Sequence, residues 1–217
     1  MRESQNVVPF RRFMVVRVGL CMLQGARDAH IRSLQQASEI SGIEIVICEL
    51  RTESQLLKQH CDAYILPGGE STTLRRTGGD VKSGGSGILP ALFSHLRESN
   101  SPVLGTCAGA ILLCDPRDGG DPLLPASIDR NAYGRQTESF QDTITVNLFG
   151  RTEFPGVFIR APRFEQSSIR CESIALHDDE VVGIRNDSRM ALTFHPELTE
   201  DSRFHIWLLQ QASHSSE

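Results

Sequence analysis

The first half of this chain alternates short apolar runs with longer stretches of mixed polarity, and that rhythm narrows the fold more than any other feature. The runs are residues 15–20, 43–48, 62–66 and 102–106. They are apolar almost throughout, not at every second position, so each is expected to be a strand buried on both faces. Between the first two, within residues 26–42, Ala29, Leu34, Ala37 and Ile40 recur at near-helical spacing. Residues 53–60 and 88–98 read as two further helices. Strand, helix and strand in repeated succession build a parallel sheet covered by helices. The second half reads differently. Residues 143–148, 156–159, 173–176, 181–184 and 191–194 are strand-like and separated by short turns, which points to antiparallel additions. A closing helix is expected over 201–211, carrying Phe204, Ile206, Trp207 and Leu208. The expectation is an α/β, single-domain, three-layer fold: a mostly parallel central sheet, helices on both faces, and antiparallel additions in the C-terminal half.

Composition limits the company such a domain keeps. The chain has 217 residues, 39% of them hydrophobic, and 22 Lys and Arg against 27 Asp and Glu give a net charge of −5. A mildly acidic chain without a basic patch argues against nucleic-acid partners and anionic membrane surfaces. The six cysteines form no CxxC pair, and several lie within apolar runs, where a free thiol behaves as a small hydrophobe. A reducing compartment is therefore expected, with a cytoplasmic location. No run reaches the roughly 18 apolar residues of a membrane span. Residues 13–23 follow Arg11 and Arg12 and mimic the core of a signal peptide, but Arg17 interrupts them, and a first strand explains them better. Residues 1–12 read as a flexible N-terminal extension, 13–212 as the domain and 213–217 as a tail. The Gly/Ser-rich insertion at 78–87, preceded by Thr77, reads as a flexible loop without the spacing of a phosphate-binding loop. No His or Cys spacing suits zinc, and no metal is expected.

Chemistry concentrates at Val103-Leu104-Gly105-Thr106-Cys107-Ala108-Gly109-Ala110-Ile111. An apolar strand enters Gly-x-Cys-x-Gly and a helix of small and apolar residues leaves it, the cysteine version of a nucleophile elbow. Gly105 and Gly109 let strand and helix close around a strained turn. The helix N-terminus behind Cys107 favours a thiolate, and the Ala108 N–H points where an oxyanion would form. A thiolate nucleophile needs a base, and the base an orienting group. His195 and Glu197 in Phe194-His195-Pro196-Glu197 fit those roles, because residues i and i+2 of an extended segment share a face. A third piece, Pro67-Gly68-Gly69-Glu70-Ser71-Thr72-Thr73, also follows a parallel strand. Gly69 is placed to offer a second oxyanion N–H, and Glu70 and Ser71 either anchor a polar substrate or cap the next helix. Gln24-Gly25-Ala26 follows the first strand and falls on the same rim.

Gly-Thr-Cys-Ala-Gly, Pro-Gly-Gly-Glu-Ser-Thr-Thr and Phe-His-Pro-Glu together resemble the triad-type (class I) glutamine amidotransferases. Leu23-Gln24-Gly25-Ala26, Arg75-Arg76, Arg130-Asn131-Ala132-Tyr133-Gly134-Arg135-Gln136, Phe158-Ile159-Arg160-Ala161-Pro162 and His195-Pro196-Glu197-Leu198-Thr199-Glu200-Asp201 narrow the resemblance. They are similar to the glutaminase subunits of pyridoxal 5′-phosphate synthase, from about residue 18 to 208. The alternative is a glutaminase of another class I pathway, of the histidine, purine or anthranilate type. The resemblance implies that Cys107 attacks the carboxamide of L-glutamine, that Gly69 and Ala108 hold the oxyanion, and that His195, oriented by Glu197, moves the protons. It implies glutamine-binding roles for Gly69, Glu70, Ser71, Arg130, Ile159 and Arg160. It also implies no organic cofactor for the glutamine half-reaction, and delivery of ammonia to a separate (β/α)8 synthase subunit within a large ring-shaped complex for vitamin B6 synthesis.

Overall fold

The computed structural model describes residues 15–130 and 139–214. The extension at 1–12 and the Asn131–Gln136 part of the arginine-rich motif lie outside the described residues. A nine-stranded sheet runs in the order β2-β1-β3-β4-β11-β10-β9-β6-β7. The strands β1 (Val16–Cys21), β2 (Ile45–Leu50), β3 (Ala63–Leu66), β4 (Val103–Thr106) and β11 (Arg189–Leu192) are mutually parallel. The strands β6 (Ser139–Val146), β7 (Thr152–Ile159), β9 (Glu172–His177) and β10 (Glu180–Asn186) extend the sheet antiparallel. Two short strands, β5 (Ile128–Asp129) and β8 (Arg163–Phe164), pair separately. The strand expected at 191–194 as an antiparallel addition instead joins the parallel set. It lies beside β4 on one side and turns back antiparallel to β10 on the other. The reason is local: a tight β10–β11 turn permits only antiparallel pairing there, while β4, entering from the other half, presents its edge in the same direction.

The two faces of the parallel half divide the core. Val16, Val18, Leu20, Ala63, Ile65 and Leu104 point toward α1 (Arg27–Ser41) and α6 (Arg203–His214). Tyr64, Leu66, Leu50 and Val103 point toward α2 (Glu53–Gln59), α3 (Ser71–Gly78), α4 (Ile88–Glu98) and α5 (Ala108–Cys114). Several boundaries moved, α6 among them, which runs on to His214 into the segment expected as a tail, and three of the shifts have plain local reasons. Gly42 ends α1 in the left-handed region with its N–H on the Ser38 carbonyl, and the Ser38 hydroxyl donates to the Ile43 carbonyl at 2.6 Å, so β2 starts at Ile45 instead of 43. Asp201 accepts from the Arg203 N–H at 3.1 Å and so stands ahead of α6 instead of within it. The Gly/Ser segment is partly regular: α3 continues to Gly78, a 3-10 turn occupies Val81–Ser83, and Ser86 and Gly87 donate backbone hydrogen bonds to Thr77 and Gly79, both at 2.8 Å.

Candidate functional site

Four loops leave the carboxyl ends of parallel strands β1, β3, β4 and β11 and meet at one rim, where open α/β sheets place their ligands. The loop after β4 is the elbow. Cys107 sits at φ 51° and ψ −107°, left-handed and strained for a side chain bearing a Cβ. Close packing enforces it. A Cβ on Gly105 would stand 2.8 Å from the Gly109 backbone, and one on Gly109 would stand 1.9 Å from the Leu66 carbonyl oxygen. The glycines therefore let α5 press onto β3 and β4, and Cys107 is left at the helix entrance, its N–H bonded to the Leu192 carbonyl at 2.8 Å.

His195 leaves the end of β11, with its N–H donating to the Val157 carbonyl at 2.8 Å. Its Nδ1 is 2.7 Å from Glu197 Oε1, and both residues are buried. The backbone between them is not extended as the sequence suggested. Pro196 opens a 3-10 turn over Pro196–Leu198, and this turn folds the carboxylate back under the ring. His195 Nε2 lies beside the Cys107 side chain without a hydrogen bond of full geometry. Burial lowers the His195 pKa, but the Cys107 sulfur and the Glu197 carboxylate outweigh it and hold the imidazole at about 10. Burial raises the Glu197 carboxyl, yet the nearby His30 and the His195 bond bring it down to about 2. The pair thus behaves as a carboxylate partnered by a ring that readily accepts a proton.

The Pro67–Glu70 loop closes over this pair. Gly68 packs so tightly that a Cβ there would meet His195 Cε1 at 2.6 Å. Gly69, at φ 142°, carries the Gln24 side chain against it, and Gln24 Oε1 accepts the Glu70 N–H at 2.9 Å. The Glu70 carboxylate caps α3, accepting from the N–H groups of Thr72 at 2.9 Å and Thr73 at 2.6 Å, and these bonds, the first above all, lower its pKa to about 2. Ser71 is buried in the first turn of α3. Arg130 is exposed and reaches that turn, donating to Thr72 Oγ1 at 3.1 Å. At the end of β7 the Ile159 carbonyl oxygen lies 3.9 Å from Cys107 Sγ, and exposed Arg160 adopts φ 44°. The structure therefore brings Cys107, Ala108, His195, Glu197, Gly69 and Ile159 to one rim. Arg75 takes a structural part, donating to the Asp115 and Pro116 carbonyls beyond α5. Sequence reasoning passed over Gly68, whose only signal was a second glycine in the loop, and His30, a polar residue within the buried stripe of α1.

A doubly wound sheet with a strained cysteine at a strand–helix turn and a buried His–Glu pair beside it defines an α/β protein equipped for thiol-based acyl chemistry. Residues 20–214 match the SNO glutamine amidotransferase family, and the chain belongs to that family. It is 41% identical over 205 residues to "Pyridoxal 5'-phosphate synthase subunit PdxT" of Thermococcus onnurineus, covering 91% of this chain and 100% of the relative. The protein of the same description from Thermococcus kodakarensis is 42% identical over 205 residues with the same coverage. A solved structure described as "Crystal structure of glutamine amidotransferase" superposes with a TM-score of 0.72 at 37% identity, covering 90% of this chain and 98% of that one.

Proposed function

We propose that this chain is the glutaminase subunit of a pyridoxal 5′-phosphate synthase, releasing ammonia from L-glutamine through a Cys107–His195–Glu197 triad. The strained Cys107 beside the 2.7 Å His195–Glu197 pair is the observation that carries the reading. His195 Nε2 holds the proton given up by Cys107, and Cys107 Sγ bonds to the side-chain carbonyl carbon of glutamine. The oxygen of the tetrahedral adduct accepts from the N–H groups of Ala108 and Gly69. The C–N bond then breaks, and His195 returns its proton to the leaving nitrogen, giving ammonia and a γ-glutamyl thioester. Water attacks the thioester with His195 as base, the C–S bond breaks, and the proton goes back to sulfur as glutamate leaves.

Glutamine is bound in this reading by Gly69, Glu70, Ser71, Arg130, Ile159 and Arg160. Arg130 suits the α-carboxylate by charge, and the Ile159 carbonyl suits the α-ammonium or amide N–H as an acceptor. Ammonia passes to a separate (β/α)8 synthase subunit in a ring-shaped assembly, a partner supported by the names of relatives near 40% identity. The hydrogen bond from the Glu70 N–H to Gln24 Oε1 ties the β1 and β3 loops together, so docking that moves Gln24 would reset the Gly69 peptide. Six unpaired cysteines, five of them buried, support a reducing, cytoplasmic setting.

The test is glutamate release from glutamine with and without a purified pyridoxal phosphate synthase subunit, for wild type and Cys107→Ala. Partner-stimulated turnover that vanishes in the variant is expected. Turnover indifferent to that synthase would reassign the chain to another class I pathway, and retention of turnover in Cys107→Ala would remove the nucleophile from the mechanism.

A further inference from the structure

The triad leaves two buried histidines unused. His30 lies on the inner face of α1 and His205 on the inner face of α6, both with no exposure at all. Around them the two helices contribute Leu34, Ala37, Leu208 and Ala212, an apolar setting in which leucine would pack without the desolvation that imidazole incurs. Yet the polar atoms face one another in a chain, although His30 Nε2 makes no hydrogen bond of full geometry. His30 Nε2 is 3.5 Å from Glu197 Oε1, the oxygen that meets His195 Nδ1 at 2.7 Å. His30 Nδ1 is 3.2 Å from His205 Nε2. Helices α1 and α6 and the 3-10 turn thus converge on one buried carboxylate.

We propose that His30 is a positioning residue for the triad, directing its Nε2–H at Glu197 so that the carboxylate stays in line with His195, with His205 setting the tautomer of His30. The inference rests on the triad reading above. The carboxylate decides the direction of the whole array, because an ionised carboxylate only accepts. A neutral His30 facing it must carry its proton on Nε2, since the opposite tautomer would set a lone pair against a negative oxygen. Nδ1 is then an acceptor, so His205 must donate from Nε2. Burial disfavours charge on both rings, in agreement with neutral forms. Glu197 Oε1 then faces ring nitrogens from two sides, His195 Nδ1 at 2.7 Å and His30 Nε2 at 3.5 Å, and the His30 N–H opposes rotation of the carboxylate away from His195. The His195 Nδ1–H is thereby held on Glu197, with Nε2 directed at Cys107 for proton exchange.

The array is read directly by NMR of the full chain with 15N-labelled histidine and no glutamine present. His30 and His205 are expected as Nε2–H tautomers; a His30 protonated on Nδ1 overturns the proposal. Kinetics give an independent readout through His30→Leu and His30→Gln, compared for Cys107 alkylation by iodoacetamide and for partner-stimulated glutamate release. Loss of the donor in His30→Leu is expected to lower kcat by about tenfold, the low end for a hydrogen bond to a charged group, as befits a 3.5 Å contact short of full geometry. KM for glutamine stays within about twofold, because His30 does not touch the substrate rim. His30→Gln, which keeps an N–H near the Nε2 position, recovers much of the rate. A space-filling histidine would show the reverse order, and leucine outperforming glutamine overturns the positioning role. Tautomers and alkylation need no glutamine. A wild type that releases no glutamate but shows this tautomer pattern, with alkylation slowed in His30→Leu, removes the glutaminase assignment and supports the role of His30.

Discussion

Gly68 offers the smallest change that should separate activity from stability. A Cβ at that position would stand 2.6 Å from His195 Cε1 and 3.4 Å from Cys107 Cβ, so the alanine methyl and the imidazole compete for one space. The clashing atom belongs to a side chain, and no left-handed backbone is required of residue 68, so the fold itself has no reason to change. The ring must retreat by close to an ångström, and it has little freedom to do so. Its backbone N–H is fastened to Val157 at 2.8 Å and its Nδ1 to Glu197 Oε1 at 2.7 Å. Retreat either stretches the Glu197 bond, worth about 1.5–3 kcal/mol for a charged partner, or swings Nε2 away from the sulfur. A misplacement of about 1 Å costs on the order of a hundredfold in rate. Gly68→Ala is therefore expected to lower kcat for partner-stimulated glutamate release by about a hundredfold, while the thermal unfolding midpoint moves by no more than a few degrees, as for about 1 kcal/mol in a domain this size. A variant with wild-type kcat and wild-type Tm would show that the imidazole is not held where the structure puts it, and the triad geometry would have to be abandoned.

Glu70→Ala should remove the cap of α3 and destabilise by about 1 kcal/mol while raising KM for glutamine; Glu70→Ser restores Tm as a substitute cap but not KM, and a KM that recovers with Tm would reduce Glu70 to a cap. Arg203 donates to Thr152 Oγ1 at 2.6 Å and to the Glu153 carbonyl at 2.5 Å, and its guanidinium lies 5.4 Å from the Phe154 ring centroid. Arg203→Ala is expected to lose about 2 kcal/mol, read as a Tm lower by about 4–8 °C, and an unchanged Tm would mean these contacts are offset in the unfolded chain. Burial lowers the His205 pKa to about 3 in the fold, against about 6.5 when unfolded. The unfolded chain binds the extra proton, so this stability is present above about pH 6.5 and is lost as pH falls toward 3, by up to about 1.4 kcal/mol per pH unit. Tm should fall more steeply between pH 6.5 and 4.5 in wild type than in His205→Leu, and parallel curves would refute the buried neutral ring.

Two kinds of information are recoverable from a single chain, and a third is not. Continuous apolar runs name strands, and the four read in the first half all fall on observed strands; three are buried on both faces, whereas β2, at the sheet edge, leaves Val46 exposed. Gly-x-Cys-x-Gly after such a run names the elbow, because only small residues permit the close approach that Gly109 and the Leu66 carbonyl make. His195 and Glu197 were legible as a pair, but for an incomplete reason, since a proline-initiated 3-10 turn and not an extended strand joins them. The strand 189–192 shows where local pattern stops being enough: apolar character marks a strand, whereas its parallel neighbour β4 is more than 80 positions away and only the closed sheet selects it. His30 was hidden for a further reason. Amphipathic spacing reports that a position is buried and nothing about what faces it, and its two partners come from elements near the opposite end of the chain.

The site also spans the two halves of the core. Cys107 is positioned by α5, whose small and apolar residues pack with α3 and α4 on one face of the sheet. Glu197 is positioned by the 3-10 turn that rests on α1, which packs with α6 on the other face. His195 stands between them at the end of β11, tied to β7 through Val157. The helix behind the nucleophile and the turn that carries its orienting carboxylate thus pack in different cores, and the imidazole links the two. Strain at Cys107 is sustained by glycine contacts on one side, and the carboxylate is fixed by polar contacts on the other. A cavity opened under α5 should therefore disturb the sulfur and leave the His195–Glu197 bond intact, whereas one opened between α1 and α6 should release the carboxylate and leave the elbow strained. The two kinds of defect converge on one rate because both act through the distance between Sγ and Nε2.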